Sequence, residues 1–207
     1  KTSSYRRISW YLIKSTMSGM LKNLRIITFL VSINAIADYQ ITVLATNISN
    51  YGGFGEWSFS ALYESEKESI LFDTGFHEDT VLHNASILGK DLSRVNKVVL
   101  SHFHSDHTGG LIKLRKTYKE LNENAFSEVY VARGFFDQRF YKDGSKEGPG
   151  NFKDSSRFRR VAEEEGIKFI ILDEHKMISE NLYATGSVER TVESYNGPLG
   201  YYLDCLL

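Results

Sequence analysis

The spacing of apolar residues along the chain predicts short strands that alternate with helices. Strands are typically short segments of β-branched residues, or of alternating apolar and polar residues, with polar or turn residues at both ends. The predicted strands are residues 41–47, 57–64, 69–72, 97–100, 128–132, 167–172, 182–184 and 199–203, with residues 65–68 as a hairpin turn. Apolar residues at helical spacing predict helices over residues 78–88 and 157–165. A third helix is predicted after Gly110, with an apolar stripe of Leu111, Leu114, Tyr118 and Leu121. This alternation predicts a layered α/β domain.

The loop after the predicted strand 97–100 contains four potential metal ligands within six residues. They are His102, His104, Asp106 and His107. In an extended segment alternate side chains share a side, so the first three are expected to face one cavity while Phe103 and Ser105 face away. His107 then reaches the same cavity through the turn after Asp106. Imidazole and carboxylate groups suit a divalent ion such as Zn²⁺, so the loop predicts a metal site.

Two ions fit this loop better than one ion does. Four ligands from one short loop cannot all take good angles on a single tetrahedral ion, so we expect them to be divided. Two ions about 3.5–4 Å apart can share a bridging water and lower its pKa to about 7, which supplies hydroxide at neutral pH. The alternative is that the histidines lie together by chance on the surface or in the core. It is weak, because three of the chain's six histidines fall within these six residues.

Two glycines and an upstream aspartate accompany the loop. Gly109 and Gly110 are interpreted as a tight turn into the next helix. Asp73 ends the strand 69–72 beside a glycine, where aspartate is often a plain turn former or helix cap. Because Asp73 lies one helix before the histidine loop, a second role is at least as well supported. In that role it accepts a hydrogen bond from a loop amide or a ligand imidazole.

Other segments carry weaker functional signals. His77, His83 and His175 are expected to be solvated or to pack, and the charged face of the helix after Gly110 is expected to be solvated. Residues 133–151 combine aromatic residues, arginine and glycine in a long irregular segment. Long loops in compact domains are often substrate lids, although a loop packed down by its own aromatic residues is equally consistent with the sequence.

Composition narrows the partners of this chain. With 207 residues, of which 42% are hydrophobic and 25% charged, it has the length and composition of one globular domain. The net charge of −1 gives no basic surface for a nucleic acid, so a small-molecule substrate is favoured. Cys205 is the only cysteine, which excludes an intramolecular disulfide and a cysteine-based zinc site.

The N-terminal part of the chain predicts export. Residues 20–37 combine a basic start, about a dozen mainly apolar residues and an Ala-x-Ala site, which is typical of a secretory signal peptide. The apolar run is too short for a stable membrane span of around 20 residues. We therefore expect residues 1–37 to be an extension, residues 38–207 to be the domain, and the protein to be secreted or periplasmic. A buried first strand or helix in a cytoplasmic protein is the alternative.

One sequence pattern resembles a known family. His102-x-His104-x-Asp106-His107-x-Gly109-Gly110, with Asp73-Thr74-Gly75 upstream, resembles the metallo-β-lactamase superfamily over about residues 40–204. The chain is similar to the branch that includes the archaeal dihydropterin-ribofuranosylaminobenzene phosphate synthase at residues 71–75, 82–85, 88–89, 91–93 and 185–190. The superfamily resemblance implies a four-layer αββα sandwich built from two similar halves.

The resemblance also implies a division of the ligands. His102 and His104 would hold a first zinc ion, and Asp106 and His107 a second, with manganese or iron as other metals. Relatives take two more histidines from segments resembling Gly-Cys-Ser-His and Gly-Gly-Phe-His, and this sequence contains neither segment. The expectation is a C-terminally incomplete copy whose metal site lacks ligands.

Three functions follow as hypotheses. The first is a dinuclear zinc hydrolase in which a metal-bound hydroxide attacks an ester, amide or phosphoester, with Asp106 as ligand and orienter of the attacking water. The second is a transferase of the dihydropterin phosphate synthase kind. The third is a non-catalytic metal-binding fragment. An iron oxygen reductase is disfavoured because relatives of that type tend to carry Glu where His104 stands, and an RNA nuclease is disfavoured by the charge balance.

Overall fold

A six-stranded mixed sheet with helices against one face forms the centre of the protein. The computed structural model describes residues 39–137, 140–141, 155–180, 182–186 and 201–202. The strands are β1 (Gln40–Ala45), β2 (Ser60–Glu64), β3 (Ser69–Phe72), β4 (Val95–Val99), β5 (Glu128–Ala132), β6 (Phe140–Tyr141), β7 (Lys168–Leu172), β8 (Lys176–Ser179), β9 (Leu182–Ala184) and β10 (Tyr201–Tyr202). The helices are α1 (Thr80–Ile87), α2 (Ser105–Thr108), α3 (Leu111–Tyr118) and α4 (Ser155–Glu164), with one 3₁₀ turn at Leu92–Arg94.

The order of the strands brings several strand ends to one edge. The sheet order is β1-β2-β3-β4-β5-β7, and β6–β10 and β8–β9 form separate two-stranded pairs. β1, β2 and β3 pair antiparallel, whereas β3, β4, β5 and β7 pair parallel. Since α1, α3 and α4 each lie between two parallel strands in the chain, the carboxyl ends of β3, β4, β5 and β7 meet at one edge. That edge carries the loops after these strands.

The main core lies between the sheet and the helices. Alternate residues of the central strands point to this side and are almost completely buried, such as Leu71, Val98 and Val129. They meet apolar residues of α1, α3 and α4, including Val81, Leu111, Leu114, Phe158 and Ala162. Burial of a side chain of this size stabilises the fold by about 1.5–3 kcal/mol. This core fixes the sheet edge on which the candidate site is built.

The β8–β9 hairpin packs on part of the opposite face of the sheet. Tyr130, Leu172 and Ile178 form a second buried cluster. Val99 and Ile170 from the sheet and Leu182 and Ala184 from β9 pack against it. The described part of the chain is therefore an α/β structure in which one sheet has helices on one side and strands on the other. The predicted α/β class is confirmed.

The predicted elements correspond to the observed ones with local differences. All the predicted strands and helices are present, but the strand predicted from residue 57 starts at Ser60, and the strand 167–172 lies at the sheet edge with Ile171 51% exposed. The predicted stripe of α3 is one turn too long, because the helix ends at Tyr118 and Leu121 is 76% exposed. The predicted signal peptide and most of the predicted lid lie outside the described residues. None of the helices among the described residues has the length and apolar character to cross a membrane.

The charged face of α3 contains one residue for which the sequence prediction is wrong. Arg115 is expected to be solvated, but only 7% of it is exposed. Its Nη1 donates to the carbonyls of Glu123 at 2.7 Å and Ala125 at 2.6 Å, and its Nε donates to that of Glu165 at 3.0 Å. Glu123 and Ala125 lie in the connection before β5, and Glu165 directly follows α4. Arg115 therefore ties two loops to α3, which hydrophobic periodicity does not reveal.

Replacing Arg115 by methionine is expected to lower the free energy of unfolding by about 2 kcal/mol, because buried carbonyls lose a charged donor. Urea unfolding followed by circular dichroism measures this change. Lys116→Met is the matched control, since Lys116 is half exposed and forms a surface pair with Glu165 at 3.3 Å, a type of pair that contributes little. Equal unfolding midpoints for the two variants would contradict the structural role of Arg115.

Candidate metal centre

The ligand-rich loop starts where β4 ends, next to the end of β3. Val99 of β4 pairs with Phe72 of β3, and the chain then continues into Ser101 and Asp73 respectively. The backbone amide of Asp73 donates to the carbonyl of Val99 at 2.9 Å. Asp73 has a φ of 51°, a left-handed conformation that aspartate tolerates better than most residues. The adjacent parallel strands thus place Asp73 directly beside the loop.

Asp73 joins the backbone of the loop to one of its imidazoles. It is completely buried, and its Oδ1 accepts from the amide of Ser101 at 2.8 Å. Its Oδ2 accepts from the hydroxyl of Ser101 at 2.8 Å and lies 2.7 Å from Nδ1 of His107. The loop amide and the imidazole proposed as partners of Asp73 from the sequence are therefore both in contact with it. Because the buried carboxylate accepts a hydrogen bond from Nδ1–H of His107, the lone pair of that ring is on Nε2.

The segment 74–76 holds the backbone of the loop at several points. The amide and hydroxyl of Thr74 both donate to the carbonyl of His107, at 2.8 and 3.0 Å. The amide of Gly109 donates to Gly75 at 2.9 Å, and that of Gly110 donates to Thr74 at 3.2 Å. These bonds fix the position of His107 relative to Asp73.

His102 and His104 form the first pair of potential ligands. Nε2 of His102 lies 3.1 Å from Nδ1 of His104, and the ring centroids are 4.6 Å apart. Phe103, between them, is 3% exposed and packs against Phe135 and Phe158 in the core. The alternation predicted for an extended segment therefore holds here. It places the two imidazoles on the side away from the core.

Asp106 and His107 form the second pair. Oδ2 of Asp106 lies 3.5 Å from Nε2 of His107. Burial by itself lowers the pKa of His107, but the hydrogen bond to Asp73 and the negative charges of Asp73 and Asp106 outweigh it, so its pKa is raised above 6.5. The ring of His107 is also 4.2 Å from that of His102, so the two pairs adjoin each other.

The separations within the pairs match those of ligands on one ion. Two ligands of a tetrahedral Zn²⁺ ion, with bonds of about 2.0–2.2 Å, are about 3.3–3.5 Å apart. The observed 3.1 and 3.5 Å lie close to this separation. Among the described residues no group of three or more His, Cys, Asp or Glu side chains is arranged to hold one ion. The distance within each pair is therefore compatible with two ligands of one divalent ion.

The conformation of the loop differs from the predicted one after His104. Asp106 is expected to continue an extended segment, but Ser105–Thr108 is the short helix α2, with His104 as its N-cap residue. The amide and hydroxyl of Thr108 donate to the carbonyl of His104 at 3.0 and 2.9 Å. This helical turn, and not strand alternation, brings Asp106 and His107 next to each other.

The glycines after the loop have another role than the one predicted. Gly109 and Gly110 have φ values of −61° and −83°, which any residue adopts, so no unusual turn requires them. A Cβ on Gly109 would lie 1.8 Å from the carbonyl oxygen of Phe76, and one on Gly110 would lie 2.4 Å from that of Thr74. The glycines therefore allow the 74–76 segment to approach the loop closely.

Two residues at this site gave no recognised signal in the sequence. The hydroxyl of Ser101, besides contacting Asp73, lies 3.0 Å from Nδ1 of His102. The carboxylate of Glu56 accepts hydrogen bonds from the amides of Phe76 and His77 and from the hydroxyls of Ser58 and Thr80, at 2.6 to 3.1 Å. Ser101 could have been singled out because it directly precedes the first histidine. Glu56 lies 46 positions before His102, and no motif or periodic pattern links the two.

Stability should depend on pH through Glu56. Burial alone would raise its pKa, but the four hydrogen bonds from Ser58, Phe76, Thr80 and His77 outweigh burial and hold the pKa below 4.5. A carboxyl group whose pKa is lower when folded stabilises the fold above its unfolded pKa and loses that effect as the pH falls. We expect Glu56→Gln to be less stable than the parent protein above pH 4.5, and the difference to shrink below it.

Urea unfolding of both proteins at a series of pH values checks this expectation. Glu66→Gln, at an exposed residue in the β2–β3 turn, reports the general effect of losing one carboxylate. A difference between the parent protein and Glu56→Gln that stays constant down to pH 3 would show that the charge of Glu56 is not what stabilises the 76–80 segment.

The other three histidines of the described segments lie outside the histidine loop. His83 stacks on Phe54 with ring centroids 3.8 Å apart, and its Nε2 lies 2.6 Å from the carbonyl of Gly52. His77 is exposed and contacts the ring of Phe76, and His175 is exposed in the turn before β8. His83 and His175 thus have the packing or solvated surroundings that we expect, whereas His77 lines the same open cavity as Asp106.

A family model and the fold define the class of this protein. Residues 58–172, more than half of the chain, match the model of the metallo-beta-lactamase superfamily, Lactamase_B. The match includes Asp73 and the whole histidine loop. The chain belongs to the metallo-beta-lactamase superfamily.

Two known proteins are similar to parts of this chain. The chain is 32% identical over 100 residues to the 7,8-dihydropterin-6-methyl-4-(beta-D-ribofuranosyl)-aminobenzene-5'-phosphate synthase of Methanocaldococcus jannaschii, which covers 45% of this chain and 33% of the relative. The crystal structure of Tm1679, a metal-dependent hydrolase of the beta-lactamase superfamily, matches with 28% identity and a TM-score of 0.53, over 73% of this chain and 49% of that one. The chain thus spans between a third and a half of the length of these relatives.

Proposed function

We propose that this protein is a metal-dependent hydrolase with a dinuclear zinc centre. The observation that carries the proposal is the arrangement of four ligand side chains as two adjoining pairs. His102 and His104 would hold one ion, and Asp106 and His107 the other. Each pair has a separation compatible with a single tetrahedral ion, 3.1 Å in the first and 3.5 Å in the second. The family assignment and the similarity to Tm1679, described as a metal-dependent hydrolase, support the same class.

The surrounding residues would keep the ligands in the correct protonation state. Asp73 accepts from Nδ1 of His107, so Nε2 is left to bind a metal. Ser101 lies at hydrogen-bond distance from Nδ1 of His102, which likewise leaves Nε2 of that ring to bind. Both contacts select the tautomer that zinc needs. When bound, the ions would supply Lewis acidity and a water of lowered pKa.

Asp106 has the best position for proton transfer. Its Oδ2 faces Nε2 of His107, and its second oxygen can accept a proton from an attacking water. The carboxylate is half-buried at the mouth of an open cavity, so a small molecule can reach it. An ester, amide or phosphoester of low molecular mass is the substrate class we propose.

A transferase is the second candidate function. The relative from Methanocaldococcus jannaschii is a synthase, and its 32% identity is the observation in favour. In that case the same ligand pairs would position a phosphorylated substrate for bond formation instead of hydrolysis. A protein that hydrolyses phosphoesters or lactones but never condenses a pterin pyrophosphate would exclude the transferase.

Metal content and hydrolysis together test the proposed function. Purified protein is loaded with Zn²⁺, its metal content is measured by mass spectrometry, and it is assayed with p-nitrophenyl acetate and bis(p-nitrophenyl) phosphate. We expect bound zinc and zinc-dependent hydrolysis. His104→Ala or Asp106→Ala should lower the rate by at least about 100-fold, because each removes a ligand.

His175→Ala is the matched control, since it removes an exposed histidine without touching the two pairs. Bound zinc without hydrolysis would favour the third candidate, a non-catalytic metal-binding fragment. A zinc content near zero in folded protein would reject the metal centre itself. A rate that does not change in His104→Ala would attribute the hydrolysis to another site or to a contaminant.

A further inference from the structure

An open cleft adjoins Asp106. It has a volume of about 560 Å³, and its walls include Trp57, Phe76, His77 and Asp106. Trp57 precedes β2, whereas Phe76 and His77 follow β3, so the two walls come from different connections of the sheet. Small-molecule sites usually have volumes of about 300–1,000 Å³. The cleft is therefore large enough for a ring system beside the metal centre.

Two large aromatic side chains in this cleft are exposed. Trp57 is 79% exposed and Phe76 is 41% exposed. A single exposed apolar residue needs no explanation, but aromatic rings that share a concave surface next to a polar centre mark a binding site. The imidazole of His77 lies against Phe76 with centroids 4.7 Å apart and an angle of 78°. The cleft thus offers π-faces and one polar ring.

Glu56 links the two segments that carry these walls. Its carboxylate accepts from the hydroxyl of Ser58, next to Trp57, at 2.6 Å and from the amides of Phe76 and His77 at 2.7 and 3.1 Å. Gly75 has a φ of 74°, a conformation that favours glycine, and a Cβ there would lie 2.7 Å from Oε1 of Glu56. A carboxylate with four hydrogen bonds has its acceptor positions occupied. The segments that carry Trp57 and Phe76 are thereby linked before any ligand arrives.

We propose that this cleft binds a planar aromatic ring of the substrate and places an adjoining bond next to Asp106. The inference rests on the proposed function, because it treats the cleft as the substrate side of the metal centre. Stacking on Trp57 and Phe76 recognises a flat ring, and His77 can donate a hydrogen bond to a polar group at its edge. The carboxylate of Glu56, already saturated by donors, does not select for a cation.

Stacking predicts that the cleft prefers an aromatic ring to a saturated ring, whereas burial of apolar area alone predicts no such preference. Loss of an aromatic side chain that stacks on a nucleobase weakens binding by about 1–3 kcal/mol, which corresponds to about 5–150-fold. A saturated ring of the same carbon skeleton buries a similar apolar area but has no π-face. We therefore expect an aromatic ligand to bind about ten-fold more tightly than its saturated counterpart.

The test compares 2-naphthoate with decahydro-2-naphthoate on the zinc-loaded and the metal-free protein. Both probes carry the same carboxylate, so any contact with zinc is common to them. Calorimetric titration gives the affinities. The indole N–H signal of Trp57 in NMR spectra gives the location, and Trp10→Phe assigns it because the chain has only these two tryptophans. We expect 2-naphthoate to bind about ten-fold more tightly and to shift the Trp57 signal.

Substitutions separate the cleft from other exposed aromatic residues. Trp57→Ala should weaken 2-naphthoate binding by about ten-fold, and Trp57→Phe should retain most of the affinity. Tyr51→Ala is the control, because Tyr51 is 93% exposed in the same β1–β2 connection but borders a different cavity. It should leave the affinity unchanged.

The outcomes distinguish this inference from the proposed function. Equal affinities of the two probes, an unshifted Trp57 signal, or equal effects of Trp57→Ala and Tyr51→Ala would each overturn the aromatic cleft, even if zinc binds and esters are hydrolysed. Tight 2-naphthoate binding at Trp57 in a protein that takes up no zinc would retain the cleft and reject the hydrolase.

Discussion

Replacing Asp73 by asparagine is expected to lower the zinc affinity of the Asp106–His107 pair by about 10–100-fold, the usual effect of losing a partner of a ligating histidine. The carboxylate of Asp73 accepts from Nδ1 of His107 at 2.7 Å. An asparagine whose carbonyl keeps the amide of Ser101 turns its NH₂ group toward His107. Nδ1 must then accept, and the proton moves to Nε2, the nitrogen that faces Asp106. A protonated Nε2 has no lone pair for a metal.

Asparagine is the right substitution because it changes the charge at residue 73 and the tautomer of His107 but keeps the backbone conformation. Asp73 has a φ of 51°, and asparagine tolerates this region about as well as aspartate does. Alanine would add a backbone cost of about 1–2 kcal/mol and leave the amide of Ser101 without its acceptor. A low zinc affinity of Asp73→Ala could then result from partial unfolding of the loop.

Zinc titrations in competition with a chromophoric chelator measure the affinity of the protein for each successive zinc ion. The affinity of the second pair should fall most, since the imidazole that Asp73 orients is that of His107. Asp173→Asn is the matched control, because Asp173 lies at the same sheet edge but forms an exposed pair with Arg133 at 2.8 Å. Unchanged zinc binding in Asp73→Asn would show that Asp73 does not set the tautomer of His107.

Gly109→Ala is expected to have the largest effect on stability, a loss of about 3 kcal/mol or more. The new Cβ would lie 1.8 Å from the carbonyl oxygen of Phe76 and 2.6 Å from its carbon. The obstacle is backbone, and Glu56 holds the same peptide through the amide of His77. Neither side can move by a simple rotamer change. The segment 74–76 and the histidine loop must separate, which breaks the bond from the amide of Gly109 to Gly75.

Urea unfolding and the zinc titration together test this expectation. Gly89→Ala is the control, because Gly89 has a φ of 65° but a Cβ added there would meet no heavy atom within 4 Å, so this variant should lose only about 1–2 kcal/mol. Gly109→Ala should lose stability and zinc binding together, whereas Gly89→Ala should lose stability alone. A Gly109→Ala protein as stable as Gly89→Ala, with normal zinc binding, would contradict the close approach.

Local patterns in the sequence determined the elements and the position of the candidate site. The apolar runs of β3, β4 and β5 and the helical spacing of α1 and α4 each depend on contacts with a period of two or about 3.6 residues, which a single sequence displays. The crowding of His102, His104, Asp106 and His107 after a strand is likewise local. The end of α3 and the conformation after His104 are predicted less well, because capping and loop contacts set them.

The tertiary structure alone decided how these parts act together. It placed Arg115 against carbonyls of two distant loops, Glu56 across the connections before β2 and after β3, and the backbone of Phe76 against Gly109. It also placed Asp106 and His107 on the short helix α2 instead of on an extended segment. Which polar groups meet depends on the distances and directions between residues on strands that are neighbours in space. Hydrophobic periodicity records which face of an element is buried, but it contains no information about which distant polar group a side chain meets.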